Sequence, residues 1–291
     1  MSQLSNMKTV REILSRYGFT FSKKLGQNFI VNPSVCPRIA EEGGAGPDTG
    51  VLEIGPGIGV LTWELAARAK KVVAIELDQR LLPVLDETLS EFSNVTVLHA
   101  DVLKLQLEEL LRREFPEMEV VVCANLPYYI TSPILMRLLE ARLPVKAITV
   151  MVQKEAAVRI CAAPGERNAG ALSAAVRYYA QPRVLFSVSR GSFLPAPEVD
   201  SAVIRLDIRP EPAVSPPDEA LFFRVIRAGF SQRRKTLANS LSSGLAMEKG
   251  RIGAALEQAR ISSGARAEEL TLEDFCRLAE AIFAMKEAEK V

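Results

Sequence analysis

Disulfide bonding, metal ligation and membrane spanning find little to work with in this chain. Its four cysteines, Cys36, Cys123, Cys161 and Cys276, are scattered and form no CxxC pair. Such spacing fits a reduced compartment and argues against a zinc site. There is one histidine, His99, inside an apolar stretch, where a structural role is expected. A single imidazole supplies neither a metal cluster nor the usual general base, so metal-free chemistry is expected. No apolar run approaches the roughly 20 residues of a membrane-spanning helix. The opening MSQLSNMKTVREILSRYGF lacks the continuous apolar core of a secretory signal. Its pattern resembles a weak transit peptide, but a short amphipathic helix suits it better. These absences lead to the expectation of a cytoplasmic protein, free of membrane and metal, and of a monomer.

Net charge is also nearly lacking, at +1 over 291 residues. Its distribution says more than its sum. Met1 to Arg38 holds six basic residues and one acidic one, Glu12. Ala220 to Arg251 holds seven basic residues against Glu248 alone. Lys23 and Lys24 in the first region, and Arg233, Arg234 and Lys235 in the second, are candidate phosphate contacts.

Short β-branched runs alternate with helical patterns over the first two thirds. Val51–Gly55, Val72–Glu76, Val95–His99, Val120–Ala124 and Ala147–Val152 read as buried parallel strands. Leu61–Ala69, Gln79–Leu89, Lys104–Arg113 and Ser132–Ala141 read as the helices between them. Repeated units of this kind predict a doubly wound α/β sheet. Leu185–Val188 and Ala202–Ile208 add two strands, expected as an antiparallel pair at one edge. Four prolines in IRPEPAVSPPDEA then stop the pattern. The expected division is a domain over residues 1–209, with its basic segment 1–38, and an all-α domain over 218–291. Within the latter, Glu219–Phe230, Lys235–Met247, Gly253–Ala259 and Leu272–Met285 read as helices.

VLEIGPGIGVLTWEL is a strand, a glycine-rich turn and a helix. Gly55, Gly57 and Gly59 allow the backbone to approach a ligand closely. The dinucleotide fingerprint GxGxxG is not met, because Val60 stands where its third glycine would fall. Glu76 ends the second strand in AIELD, where one carboxylate can accept from two ribose hydroxyls. Asp101 ends the third strand in LHADV and suits an adenine amine. Two strand-end carboxylates without an arginine cluster for pyrophosphate favour S-adenosylmethionine over a dinucleotide.

VVVCANLPYYITSP is the most specific segment. The strand ends in Asn125-Leu126-Pro127-Tyr128, at the sheet edge where α/β proteins bind ligands. The amine of adenine is a poor nucleophile because its lone pair is delocalised. Acceptors on the Asn125 side chain and the Leu126 carbonyl would hold both hydrogens and favour a tetrahedral nitrogen. Tyr128 offers a flat face for the base. No strong base is needed, because the nitrogen becomes acidic only as it accepts the methyl group.

Asn-Leu-Pro-Tyr after such a loop resembles the signature of amino-group methyltransferases. The whole chain resembles the bacterial small-subunit (16S) ribosomal RNA adenine N6,N6-dimethyltransferases. The matching segments are KKLGQNF (Lys23–Phe29), EIGPGIG (Glu53–Gly59), IELD (Ile75–Asp78), NLPY, SFLPAPEVDSAVIRL (Ser192–Leu206) and FSQRRKTLANSL (Phe230–Leu241). The resemblance implies a Rossmann-like class I methyltransferase sheet with a small C-terminal helical domain that binds RNA. It implies S-adenosylmethionine as cofactor, and as substrate two adjacent adenosines near the 3′ end of small-subunit rRNA on an assembling 30S subunit. Asn28, Ile30, Gly55, Gly57, Glu76, Asp101 and Asn125 would line the cofactor pocket. Phe193 would clamp the target base opposite Tyr128. Ile30 departs from the family's usual leucine, a nearly isosteric change. Three other readings stand beside this one: a macrolide-resistance methyltransferase of large-subunit rRNA, a non-catalytic nucleic-acid-binding factor on the same fold, and a dehydrogenase. GQNF, where the resistance enzymes tend to have SQNF, favours the small-subunit group.

Overall fold

The computed structural model describes residues 3–22 and 26–288. In chain order the elements are α1 (Met7–Arg16), β1 (Phe29–Ile30), α2 (Val35–Gly43), β2 (Thr49–Ile54), α3 (Val60–Ala66), β3 (Lys71–Glu76), α4 (Leu82–Thr88) and β4 (Val95–His99). They continue with α5 (Leu107–Glu114), β5 (Glu119–Asn125), α6 (Thr131–Glu140), β6 (Ala147–Gln153), α7 (Lys154–Cys161), α8 (Ala171–Tyr179), β7 (Ala180–Val188), β8 (Phe193–Leu194) and β9 (Ser201–Ile208). The last four are α9 (Glu219–Gly229), α10 (Leu237–Leu245), α11 (Lys249–Gln258) and α12 (Leu272–Ala288).

Seven strands form one sheet in the order β4-β3-β2-β5-β6-β9-β7. Strands β2 to β6 run parallel, and β9 returns antiparallel to β6. Strands β2, β3 and β6 are buried apolar runs but for one end residue each, whereas β4, expected to be buried, lies at the sheet edge and is half-buried to exposed. Strand β7, at the edge, alternates with solvent, and β9 lies between it and the parallel block. The two late strands are thus neighbours at one edge, and β9 joins them to the parallel block by pairing antiparallel with β6. From β2 the chain builds outward to β3 and β4, then crosses to the other side of β2 to lay down β5. That reversal opens a crevice at the carboxyl ends of β2 and β5.

The sequence pattern did not signal α2, α7 or α8, nor the two-stranded β1–β8 sheet, which pairs Phe29 with Leu194 and Ile30 with Phe193. The expected amphipathic N-terminal helix is α1, which buries Val10, Ile13 and Leu14. All four cysteines are free.

The chain divides into two compact units. One comprises residues 1–157 and 182–208, and the other residues 158–181 and 209–291. The second is helical, with an aromatic cluster in which Tyr178 packs on Phe222 and Phe223, and Tyr179 stacks on Phe223 at 5.7 Å. Both tyrosine hydroxyls donate to the Glu219 carboxylate, at 2.9 and 3.0 Å. Helices α9 and α10 approach so closely that a Cβ on Gly244 would stand 2.6 Å from that of Ala228.

Candidate active site

The strand ends of the first unit converge on one cavity of about 140 Å³. That is room for roughly ten water molecules, the scale of a nucleoside-sized ligand rather than a packing void. It is lined by the turn after β2 (Gly55 to Ile58), by Glu76 and Leu77 after β3, by Asp101 and Val102 after β4, and by Asn125 to Ile130 after β5. Gln27 to Ile30 close one side. Glycine is required in the turn. Gly55, Gly57 and Gly59 have φ of 72°, 62° and 88°, and a Cβ on Gly57 would stand 3.0 Å from the Phe29 ring.

Glu76 is the organising carboxylate. It is buried, with Oε2 accepting from the Gly57 amide at 3.2 Å and Oε1 from the Asp78 amide at 2.8 Å. The Leu77 amide bonds to the same carboxylate. Burial raises its pKa, and the backbone amides oppose that shift. Asp78 does a different job. It accepts from Gln27 Nε2 at 2.7 Å and from the Arg80 guanidinium, whose hydrogen bonds hold its carboxyl below the usual range. Arg80 also lies 4.8 Å above the Phe19 ring, so the segment before β1 is tied to the end of β3. Asp101 accepts from the Leu103 amide at 3.0 Å.

Asn125 donates its amide to the Asn28 carbonyl at 3.2 Å. That bond orients the side chain and leaves Oδ1 without a donor among the described residues. The Leu126 carbonyl is equally unclaimed there, while the Leu126 amide donates to Met151 at 3.2 Å. Tyr128 is held through its hydroxyl, 2.7 Å from Ser201 Oγ.

The structure thus brings Asn28, Ile30, Gly55, Gly57, Glu76, Asp101, Asn125, Leu126, Pro127 and Tyr128 to one cavity. Phe193 is not among its lining. It is 3% exposed, belongs to the apolar core, and makes no ring contact with Tyr128. Pairing with Ile30 turns this side chain inward, so as it stands Phe193 supports the cavity wall rather than facing a base. Lys23 and Lys24 lie outside the described residues. Arg233, Arg234 and Lys235 are exposed in the turn before α10, whose N-cap is Thr236, rather than inside the helix. His99 is exposed, with its ring nitrogen 3.2 Å from the Leu77 carbonyl.

Sequence reading passed over several lining residues: Gln27, Glu53, Leu77, Val102 and Tyr129. Leu77 and Val102 each directly follow a strand-end carboxylate, which is the signal that would have found them. Glu53 is 1% exposed, and its Oε2 has no hydrogen-bond partner among the described residues. Burial pushes its carboxyl up to about 8. Among the described residues no group of three His, Cys, Asp or Glu side chains is placed to hold a metal ion, and no helix is long and apolar enough to cross a membrane.

The family model for ribosomal RNA adenine dimethylase matches residues 18–283. The chain belongs to that family. A ribosomal RNA small subunit methyltransferase A from Bacillus mycoides is 48% identical over 98% of this chain and 99% of its own length. Its counterpart from Bacillus licheniformis is 50% identical over 93% and 94%. Among solved structures, a dimethyladenosine transferase from Plasmodium falciparum is 26% identical, with a TM-score of 0.73 over 90% of this chain and 98% of its own. The 23S rRNA methyltransferase ErmE is 31% identical, with a TM-score of 0.67 over 88% and 100%. In this ribosomal RNA adenine dimethylase the glycine turn, both strand-end carboxylates and the Asn125–Tyr128 segment share one cleft.

Proposed function

We propose that this protein transfers methyl groups from S-adenosylmethionine to N6 of two adjacent adenosines in small-subunit rRNA, leaving both dimethylated. The observation that carries the reading is the single cleft in which two strand-end carboxylates face the Asn-Leu-Pro-Tyr segment. Near-full-length identity of 48–50% to enzymes named for the small subunit supports the choice of RNA.

The residues present fit a nucleoside cofactor. Glu76 lines the cavity with a carboxylate suited to accept from two neighbouring hydroxyls. Asp101 would accept from an adenine amine, with Leu77 and Val102 as apolar walls for the ring. Gly55 and Gly57 bare the backbone, and Asn28 and Ile30 bound the space beside Asn125. When bound, S-adenosylmethionine supplies a methyl group on a positively charged sulfur, a good leaving group. Asn125 Oδ1 and the Leu126 carbonyl accept the two hydrogens of the target amine and favour a tetrahedral nitrogen whose lone pair is no longer delocalised into the ring. Pro127 keeps that turn stiff, and the Tyr128 ring holds the base by stacking. The proton released from N6 needs no side-chain base, since the alkylated nitrogen is acidic and gives it up to water. A monomethylated amine still offers one hydrogen and a lone pair, so the same acceptors serve a second transfer. The C-terminal helical unit, with Arg233, Arg234 and Lys235 exposed, would bind the RNA backbone, as would Lys23 and Lys24.

Small-subunit particles from a strain lacking this gene should take up about four methyl groups each from labelled cofactor, and large-subunit particles none. Label confined to large-subunit RNA would reassign the protein to the specificity of the 23S enzyme it also resembles.

A further inference from the structure

Among the described residues, two exposed large apolar side chains line the cleft, Leu77 and Tyr129. Leu77 has a place in the proposed cofactor site. Tyr129 has none. Its ring is 58% exposed, and no described residue hydrogen-bonds its hydroxyl. One ring edge rests over Gly26, with Cδ1 and Cε1 3.3 and 3.4 Å from where a Cβ would stand. Gly26, at φ 59°, leaves room for the ring. The ring is therefore seated on one side and open to solvent on the other.

Tyr128 and Tyr129 are consecutive in a 3-10 turn spanning Tyr128–Ile130. Successive side chains in such a turn point about 120° apart, so the two rings cannot serve the same base. A base swung out of its stack leaves its neighbour with a bare face, and that missing stacking is part of the cost of flipping. An open aromatic ring beside the cleft mouth can cover that face, whichever base it is. We propose that Tyr129 stacks on the nucleobase next to the adenosine held in the cleft, so that the RNA is gripped at two successive bases. The inference rests on the reading given under Proposed function.

The test uses the full-length protein and an RNA hairpin whose loop carries two adjacent adenosines, with affinity read by fluorescence anisotropy. Y129A and Y129L should weaken binding by about 5- to 150-fold, the range for removing one stacked base, and Y129W should retain it. Replacing each neighbour of the target in turn by an abasic nucleotide should, on one side, weaken the wild type equally and leave Y129A and Y129L unaffected. Unchanged affinity in both variants, or a penalty that persists undiminished on every abasic RNA, overturns the assignment. The underlying reading fails separately. A wild type that methylates RNA of neither subunit removes it, and the inference with it, whereas an active wild type with fully binding Y129A and Y129L removes Tyr129 alone.

Discussion

At the residue scale, the cleft works by controlling which lone pairs and protons are spare. Glu76 accepts from backbone amides through both oxygens, and in the proposed site it also accepts from the cofactor. Glu76→Ala should therefore weaken S-adenosylmethionine binding by about 1.5–3 kcal/mol for each hydrogen bond removed, and calorimetry showing full affinity would exclude it from the site. In the proposed mechanism Asn125→Ala removes an acceptor needed most in the transition state. Turnover on small-subunit particles should drop about 10²-fold, and near-normal turnover would refute the proposed orientation of the amine. Glu53 makes a pH prediction. Its buried carboxyl titrates at about 8, whereas an unfolded glutamate titrates near 4.3. Between those values the folded chain holds a proton that the unfolded chain lacks. Stability should thus fall as pH rises through that window, by up to about 1.4 kcal/mol per pH unit. Glu53→Gln keeps the shape without the titration, so its urea midpoints between pH 5 and 7.5 should decline less steeply. Parallel declines for the two proteins would show that Glu53 is not protonated in the fold.

At the scale of elements, glycine is used where backbone or ring must come close. Gly50 in the central strand β2 faces Phe115 at the end of α5, and a Cβ there would stand 2.3 Å from the ring's Cδ1. Both neighbours are well buried, so the clash has nowhere to relax. Gly50→Ala should cost about 1–3 kcal/mol in urea denaturation, an overpacking penalty. Paired with Phe115→Leu, which shortens the opposing side chain, the two costs should not add. Strict additivity would mean that the strand, and not the ring, carries the strain. The turn after β2 is subject to the same logic, with positive φ at Gly55, Gly57 and Gly59, and Gly57 passing under Phe29 and donating to Glu76.

At the scale of the whole molecule, the cleft and the second basic run fall in different compact units. Every lining residue of the cleft belongs to the first unit, and Arg233, Arg234 and Lys235 to the second. Replacing those three with alanine should flatten the salt dependence of RNA binding by about one slope unit for each phosphate no longer neutralised. An unchanged slope would mean that the run is only a solvated turn. The units also cross the chain order. Residues 158–181 belong with 209–291, held by Tyr178 and Tyr179 against Phe222, Phe223 and Glu219. A division placed by prolines runs along the chain and has no view of side chains that meet across 40 residues of sequence.

The sequence by itself determined the parallel strands, because each is a continuous apolar run that only a sheet covered on both faces can bury. It also determined the residues at their ends, since a glycine turn, Glu76, Asp101 and Asn125-Leu126-Pro127-Tyr128 each interrupt such a run with a polar or bent element. The tertiary structure alone decided what has no local signature. The resemblance makes Phe193 a base clamp, whereas in the structure it pairs with Ile30 and lies in the core. Glu53 reads as one more polar residue, and only enclosure by the sheet and helices withholds water from its carboxylate. The two late strands read as a pair at one edge, but only the structure shows that β9 attaches this pair to the sheet through β6. In each case the deciding partner is distant in sequence, and desolvation or pairing by that partner is the physical cause.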